Sequence, residues 1–316
     1  MMNNEANELL WTQKYRPQTV SETILPTKTK AAFQKYVDDK NIPNLLLSGP
    51  PGTGKTTAAI AMLKELGCDY ILINGSLNGG IDTLRHEISN FASSVSFSGT
   101  RKYVIIDEAD YLTVNTQAAL RSFTEEFSKN CGFIFTCNFK NRIIPALHSR
   151  FSHVGFSIEK DERPKIASDF FKRVLDVLNI EKVDFNKKVI AKVIEKHFPD
   201  FRRVLNELQQ YAASGKIDEG IFASFNQTSI DDLFKYLADK NFTEMRKWVA
   251  NNTDQNMGDL YRTLFDTGMD KVPMNDIPEF VVILGKYQYQ HGFVPDQELN
   301  MVACLTEVMA SCEVTP

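Results

Sequence analysis

Cysteine is scarce and unpatterned in this chain: Cys68, Cys131, Cys137, Cys304 and Cys312 lie far apart, with no C-x-x-C spacing. That excludes a zinc ribbon or a thioredoxin-like redox pair, and an odd, dispersed set points to reduced, buried thiols. The five histidines add no metal-ligand spacing. Basic residues are not in excess either. With 36 Lys and Arg against 40 Asp and Glu the formal charge is −4, so any contact with nucleic acid must come from a local patch or from helix N-termini, not from bulk charge. Nowhere do about 18 apolar residues run together, as a membrane-spanning helix needs. The opening MMNNEANELLWTQKYRP has no apolar stretch of the signal-peptide kind, so a cytoplasmic protein without a membrane partner is expected. Repeats and low-complexity tracts are missing too. What remains is an ordinary globular composition, 43% apolar and 24% charged over 316 residues, with room for about two domains, or three if one is small.

From about residue 42 to 156, short apolar runs alternate with amphipathic helical stretches. The runs are NLLLS (44–48), YILING (70–75), KYVIID (102–107) and CGFIFTCN (131–138). Each is too short for an independent helix and rich in Ile, Leu, Val and Phe, as buried parallel strands covered on both faces are. Helices are expected over 55–66, 81–97 and 114–128, which makes this a doubly wound α/β domain with ligands at the carboxyl ends of its strands. After about residue 157 the strand signal disappears. Helices are expected over 161–178, 186–197 and 200–213, then over 229–239, 241–251, 256–270, 277–290 and 296–312. The chain is thus divided into an α/β nucleotide-binding domain (1–156), a small helical domain (157–228) and an all-α C-terminal domain (229–316).

Gly49-Pro50-Pro51-Gly52-Thr53-Gly54-Lys55-Thr56 fits G-x-x-x-x-G-K-[ST] and lies between a strand and a helix, where the chemistry needs it. Glycines let successive backbone N–H groups turn inward around the β-phosphate, aided by the helix N-terminus. Lys55 then reaches the β- and γ-phosphates, the Thr56 hydroxyl ligates Mg2+, and Thr57 completes the loop's lining. ATP and Mg2+ are the ligands implied. Further along, Asp107 and Glu108 stand at the carboxyl end of an apolar strand. Such a pair alone is an ordinary solvated strand end; beside the phosphate loop it acquires two jobs. Neighbouring strand residues point apart, so Asp107 would hold the metal shell while Glu108 polarises the attacking water. A nucleotide binder that only changes shape has no need of Glu108, so hydrolysis is expected.

The order GPPGTGKT, DEAD (107–110), FTCN (135–138) and SRF (149–151) resembles the clamp-loader clade of AAA+ ATPases. Trp11, Lys14, Tyr15, Arg16 and Pro17 with ETILP (22–26) are similar to the W-x-x-K-Y-R-P opening of replication factor C small subunits. Asn74-Gly75-Ser76, Gly80 to Arg85, Gln117 to Arg121 and Pro199 to Arg203 match further blocks of that family. The ILP segment, NFASSVSF (90–97) and FPDFR (198–202) bring the resemblance nearest to the large subunit of tailed-phage, T-even-like clamp loaders.

The resemblance implies a AAA+ P-loop core, a helical lid and a helical oligomerisation collar. It implies sensor roles for Asn138 and, in the lid, for Arg202, with Arg203 as the competing choice. Arg150 would be an arginine finger acting on the next subunit's ATP. Tyr15, Arg16, Pro17, Ile24 and Leu25 would edge the adenine pocket, Asn74 would restrain Glu108, and Gln117 would relay a DNA signal. The partners implied are further copies of the chain, a distinct smaller loader subunit, a sliding clamp and primer–template DNA.

Gly80 and Ile81 at a helix start with Arg85 one turn on, and Thr113, Asn115 and Thr116 at another, would present backbone amides and a charge to DNA phosphates. Ordinary helix caps have the same pattern, so the residues alone leave both readings open. Helix 81–97 with its apolar NFASSVSF stretch is the candidate clamp-facing surface, core packing being the other use of the same residues. Two other functions fit parts of the pattern: a AAA+ motor or initiator acting on DNA, and a structural subunit that binds ATP without cleaving it. The first carries a winged-helix reader at its C-terminus, whereas residues 229–316 show helices without paired-strand signal. The second has no use for Lys55, Asp107, Glu108, Asn138 and Arg150 together.

Overall fold

The computed structural model describes residues 10–76, 81–94, 99–213, 215–218, 230–252 and 257–315. The chain forms two compact units, 1–221 and 222–316. Among the described residues, the first holds a short helix α1 (Trp11–Lys14) and α2 (Thr27–Asp38), followed by β1 (Leu45–Ser48), α3 (Lys55–Glu65), β2 (Tyr70–Asn74), α4 (Ile81–Ser93) and β3 (Lys102–Asp107). Then come α5 (Val114–Glu126), β4 (Cys131–Cys137), α6 (Pro145–His148) and β5 (Ser152–Gly155). All five strands pair in parallel, in the order β2-β3-β4-β1-β5.

Strand alternation sorts this unit's core into two layers. On one face Leu46, Val104, Ile106, Phe133 and Phe135 meet Leu84 and Ile88 of α4, Leu120 and Phe123 of α5, and Phe151. On the other, Leu45, Leu47, Tyr103, Ile105 and Ile134 meet Phe33 and Val37 of α2 and Ala59, Met62 and Leu63 of α3. Because both faces are covered, the strands read as continuous apolar runs. The fifth strand is the exception. SHVG keeps Ser152, His153 and Gly155 exposed and pairs only with β1, so its sequence carries no apolar signature.

Among the described residues, three helices follow in this unit: α7 (Arg163–Ile180), α8 (Lys187–His197) and α9 (Phe201–Ala212). They bury one stripe each, including Phe170, Val174, Val177, Ile190, Val193, Val204 and Leu208. Strand pairing does not vanish after residue 157, as the composition suggested. Asp184–Phe185 (β6) and Lys216–Ile217 (β7) form a two-residue parallel ladder, too short to leave a periodic signal. Helix α4 ends at Ser93, short of the expected residue 97; residues 95–98 lie outside those described. Its Leu84, Ile88 and Ala92 belong to the core, and that apolar stripe is therefore spent inside the unit.

The second unit holds α10 (Ile230–Ala238), α11 (Phe242–Asn252), α12 (Met257–Lys271), α13 (Ile277–His291) and α14 (Gln297–Ser311). They close over Phe234, Trp248, Leu264, Phe280, Ile283, Met301 and Leu305. No helix among the described residues is long and apolar enough to cross a membrane.

Candidate active site

The loop after β1 turns on glycines whose geometry leaves no choice of residue at Gly52. Its φ is +73°, and a Cβ there would fall 1.8 Å from Asp200 Oδ1. The carbonyl of Gly52 accepts the Phe201 N–H at 3.2 Å, so the loop is docked on the start of α9. Gly54, with φ +90°, caps α3 from the left-handed region and has open space where a Cβ would stand. Helix α3 then aims its N-terminus and positive dipole end across that space.

Lys55, the first residue of α3, is 8% exposed. Its Nζ donates to the carbonyls of Gly49 and Pro50, both at 2.8 Å, and to Asn138 Oδ1 at 2.9 Å. Burial lowers the ammonium pKa to about 8, because these neutral oxygens only partly replace lost hydration. A phosphate group would supply the missing charge. Beside it, Thr56 Oγ1 donates to Asp107 Oδ1 at 2.7 Å. A hydroxyl and a carboxylate set side by side form a hard-oxygen donor pair of the kind Mg2+ selects.

Asp107 ends β3, and Glu108 leaves the strand in the left-handed region with φ +56°. The two acids diverge through this backbone reversal, not through the strand pleat that the sequence suggested. Thr136 on β4 fixes both: its Oγ1 donates to Asp107 Oδ1 and accepts the Glu108 N–H at 3.2 Å. Asp110, 6% exposed, accepts the N–H groups of Asn138 and Phe139 at 3.2 and 3.0 Å. The loop that carries Asn138 is thereby tied to the same turn.

A cavity of about 880 Å³ opens over these groups. Gly52, Gly54, Lys55, Thr56, Thr57, Asp107 and Glu108 form its floor, and Asn74 also borders it. Tyr15, Arg16, Pro17, Ile24 and Leu25 form one wall, and Arg202 of α9 enters from another. The remaining loop residues Gly49, Pro50, Pro51 and Thr53 do not border it; Thr53 Oγ1 donates to the Pro50 carbonyl at 2.9 Å. Arg16 has its Nε buried without a hydrogen-bond partner. Burial, then the neighbouring Arg202 guanidinium, holds the Arg16 pKa below its usual range. Two guanidiniums and a buried ammonium around one space fit a polyanion. Between the competing arginines, Arg202 borders the cavity, whereas Arg203 does not and gives its backbone N–H to the Asp200 carboxylate at 2.9 Å.

The other candidates stand apart from the cavity, Asn74 excepted. Arg150 does not border the cavity: its Nε and Nη2 donate to Glu125 Oε1 and its Nη1 to the Ala146 carbonyl. Phe151, after it, is buried against Phe135, ring centroids 4.5 Å apart. The Asn74 oxygen accepts from Ser76 N–H and Oγ at 2.8 and 2.7 Å. Gln117 is 1% exposed and joins three backbone groups, donating to the carbonyls of Leu112 and Arg142 and accepting from Ile144. Among the helix-start residues, Gly80 lies outside the described residues; Ile81, Arg85 and Asn115 are exposed. Thr116 is buried, its hydroxyl 2.9 Å from that of Thr113, which caps α5. Thr136 and Asp110 lie inside FTCN and DEAD, and the sequence marks them only by their place beside Asn138 and the Asp107–Glu108 pair.

Comparison with known proteins agrees with this geometry. Residues 45–157 match the ATPase family associated with various cellular activities (AAA), and residues 162–223 match the AAA+ ATPase lid domain of the sliding-clamp-loader large subunit. The chain is 33% identical to the sliding-clamp-loader large subunit of Enterobacteria phage T4, over 98% of both chains. Identity to the replication factor C small subunit of Archaeoglobus fulgidus is 36%, over 75% of this chain and 76% of that one. Among solved structures, the RuvB Holliday junction branch migration motor of Thermotoga maritima aligns with a TM-score of 0.53 at 17% identity, covering 70% of this chain and 78% of that one; this likeness speaks for the fold alone. The chain is a nucleotide-binding ATPase and belongs to the sliding-clamp-loader large-subunit family of AAA+ proteins.

Proposed function

We propose that the chain is the ATP-hydrolysing subunit of a loader in which several copies and a distinct smaller subunit open a sliding clamp and set it on primer–template DNA. The observation that carries this reading is the meeting of Lys55, Thr56 and Asp107 on the floor of one cavity, where Thr56 is hydrogen-bonded to Asp107 and Lys55 to Asn138. ATP binds there with Lys55 on its β- and γ-phosphates and with Tyr15, Arg16, Pro17, Ile24 and Leu25 along its base and sugar side. Magnesium, held by Thr56 and Asp107, supplies charge neutralisation at the phosphates. Glu108 takes the proton of the attacking water, Asn138 orients that water, and Arg202 draws the lid (157–228) over the nucleotide.

Arg150 serves the site of a neighbouring copy, an arrangement supported by its position away from its own chain's cavity. A fixed cation supplied this way is worth about 10³–10⁵ in rate, so the isolated chain hydrolyses slowly. Residues 229–316 form the collar that joins copies. Ile81, Arg85 and Asn115 face the phosphates of the duplex, and Gln117 with Asn74 carries the signal of DNA to Glu108. In this reading the protein works in the cytoplasm, that of the host if the gene is viral.

The test is the steady-state ATPase rate of the assembled loader alone, with primer–template DNA, and with DNA plus the cognate clamp. A low basal rate raised by DNA and raised again by the clamp is expected, with Arg150→Ala abolishing the stimulated rate. Equal stimulation by single-stranded or junction DNA without any clamp effect would place the chain among DNA motors instead.

A further inference from the structure

One wall of the cavity belongs, by its hydrogen bonds, to the lid helices. The Trp11 N–H donates to Gln209 Oε1 of α9 at 2.9 Å. The Tyr15 carbonyl accepts from Arg173 Nη2 of α7 at 3.1 Å. At the end of α7, Glu181 Oε1 accepts from the Tyr15 hydroxyl at 2.6 Å and from Lys14 Nζ at 2.8 Å. Past Pro17 the attachments change sides. Gln18 Oε1 accepts from Lys64 Nζ at 2.6 Å, and the Val20 N–H donates to Glu65 Oε2 at 2.7 Å. Lys64 and Glu65 end α3, the helix that begins with Lys55. Residues 11–20 therefore form a strap from the lid to the phosphate-loop helix, and its crossing point, Arg16–Pro17, is on the cavity wall.

Glu181 does not border that cavity; its carboxylate reaches the site through the strap. Its bond to Tyr15 is short, charge-assisted and half-buried, which makes it the stronger of its two contacts. The one to Lys14 is a surface pair that contributes little. Nucleotide can leave when the lid swings or when the strap lifts. While Glu181 holds Tyr15, strap and lid move as one body, so both sets of contacts must yield together. With that bond cut, the Trp11–Gln209 and Arg173–Tyr15 bonds still tie the strap to the lid, but the strap opens more readily, and local opening of this kind sets a release rate.

We propose that Glu181 is a positioning residue for nucleotide binding, which clamps the Tyr15 hydroxyl and so locks the N-terminal strap to the lid across the nucleotide. The inference rests on the cavity being the nucleotide site. Dissociation of a fluorescent ADP analogue from the full chain, with KM and kcat of the assembled ATPase, tests it. Glu181→Ala should raise the ADP off-rate and the KM for ATP about three- to tenfold without lowering kcat, since no group at the phosphates is touched. Glu181→Gln, which keeps an acceptor oxygen, should restore both values to within about twofold of the parent, and Tyr15→Phe should reproduce Glu181→Ala. If Glu181→Ala leaves the off-rate unchanged, or lowers kcat with KM constant, the assignment is wrong. Should that variant not fold, Tyr15→Phe and Glu181→Gln carry the same test. Lys55→Ala separates the two ideas: unaltered ADP binding in that variant would refute the nucleotide site itself, whatever Glu181 does.

Discussion

Thr136 Oγ1 is the atom on which the two acids depend. It donates to the Asp107 carboxylate and accepts the N–H of Glu108, whose left-handed backbone costs about 1 kcal/mol or more and persists only where its surroundings hold it. Thr136→Val keeps the shape of the side chain and deletes both bonds. The carboxylate then loses one of its two hydroxyl partners, and the turn that aims Glu108 loses an anchor. Turnover should fall about tenfold, equivalent to about 1.4 kcal/mol of barrier, while the KM for ATP changes little because Lys55 and the loop amides are untouched. Steady-state kinetics on the assembled enzyme decide it, with Thr136→Ser expected to recover most of the rate. A fully active Thr136→Val would mean that Asp107 and Glu108 are aimed by other contacts.

Helix α9 connects the lid to the phosphate loop, and Asp200 is where the connection starts. As N-cap it accepts the Arg203 N–H, and its carboxylate lies against the space that only a glycine at position 52 leaves open. Asp200→Ala should cost about 0.5–2 kcal/mol of stability, as cap removal does. That lowers the melting temperature of the unit by about 2–4 °C per kcal/mol at this size. Fraying at this end also displaces Arg202 from the cavity, so kcat should fall further than the thermal shift alone explains. A variant with unchanged melting temperature and rate would show that the docking of Gly52 on Phe201 holds α9 without its cap. Elements such as α9 were legible in the sequence because Pro-Asp announces a start and an apolar stripe marks one face. The runs of β1 to β4 were legible because helices cover both sides. Helix α2 and strand β5 were not, for opposite physical reasons. The former buries little more than Phe33 and Val37 and starts without a side-chain cap. The latter is an edge whose side chains mostly face water. The phosphate loop and the Asp107–Glu108 pair could be read locally, since neighbours in sequence do that chemistry. Thr136, Arg173, Glu181 and Gln209 could not, because only the fold brings them to residues far away in the chain.

At the scale of the assembly, the division of one active site between two copies is open to a direct test. Within its own chain the Arg150 guanidinium is engaged by Glu125 and Ala146 and does not border the cavity that holds Lys55. A site completed in trans therefore needs Lys55 from one copy and Arg150 from its neighbour. Copies carrying Lys55→Ala still offer a finger, and copies carrying Arg150→Ala still offer a phosphate loop. Each variant alone should lose DNA- and clamp-stimulated hydrolysis, by about 10³-fold or more where the finger is missing. Mixed in equal amounts before assembly, random neighbours restore both groups at about a quarter of the interfaces. The mixture should thus recover a visible share of the parental rate, well above the sum of the two variants measured separately. The heterologous, head-to-tail contact that this requires repeats one interface around a ring or spiral, so a recovered rate would also report that like copies sit side by side. A mixture no more active than its components would place Arg150 in the service of its own chain, and the slow hydrolysis expected of the isolated subunit would then need another cause.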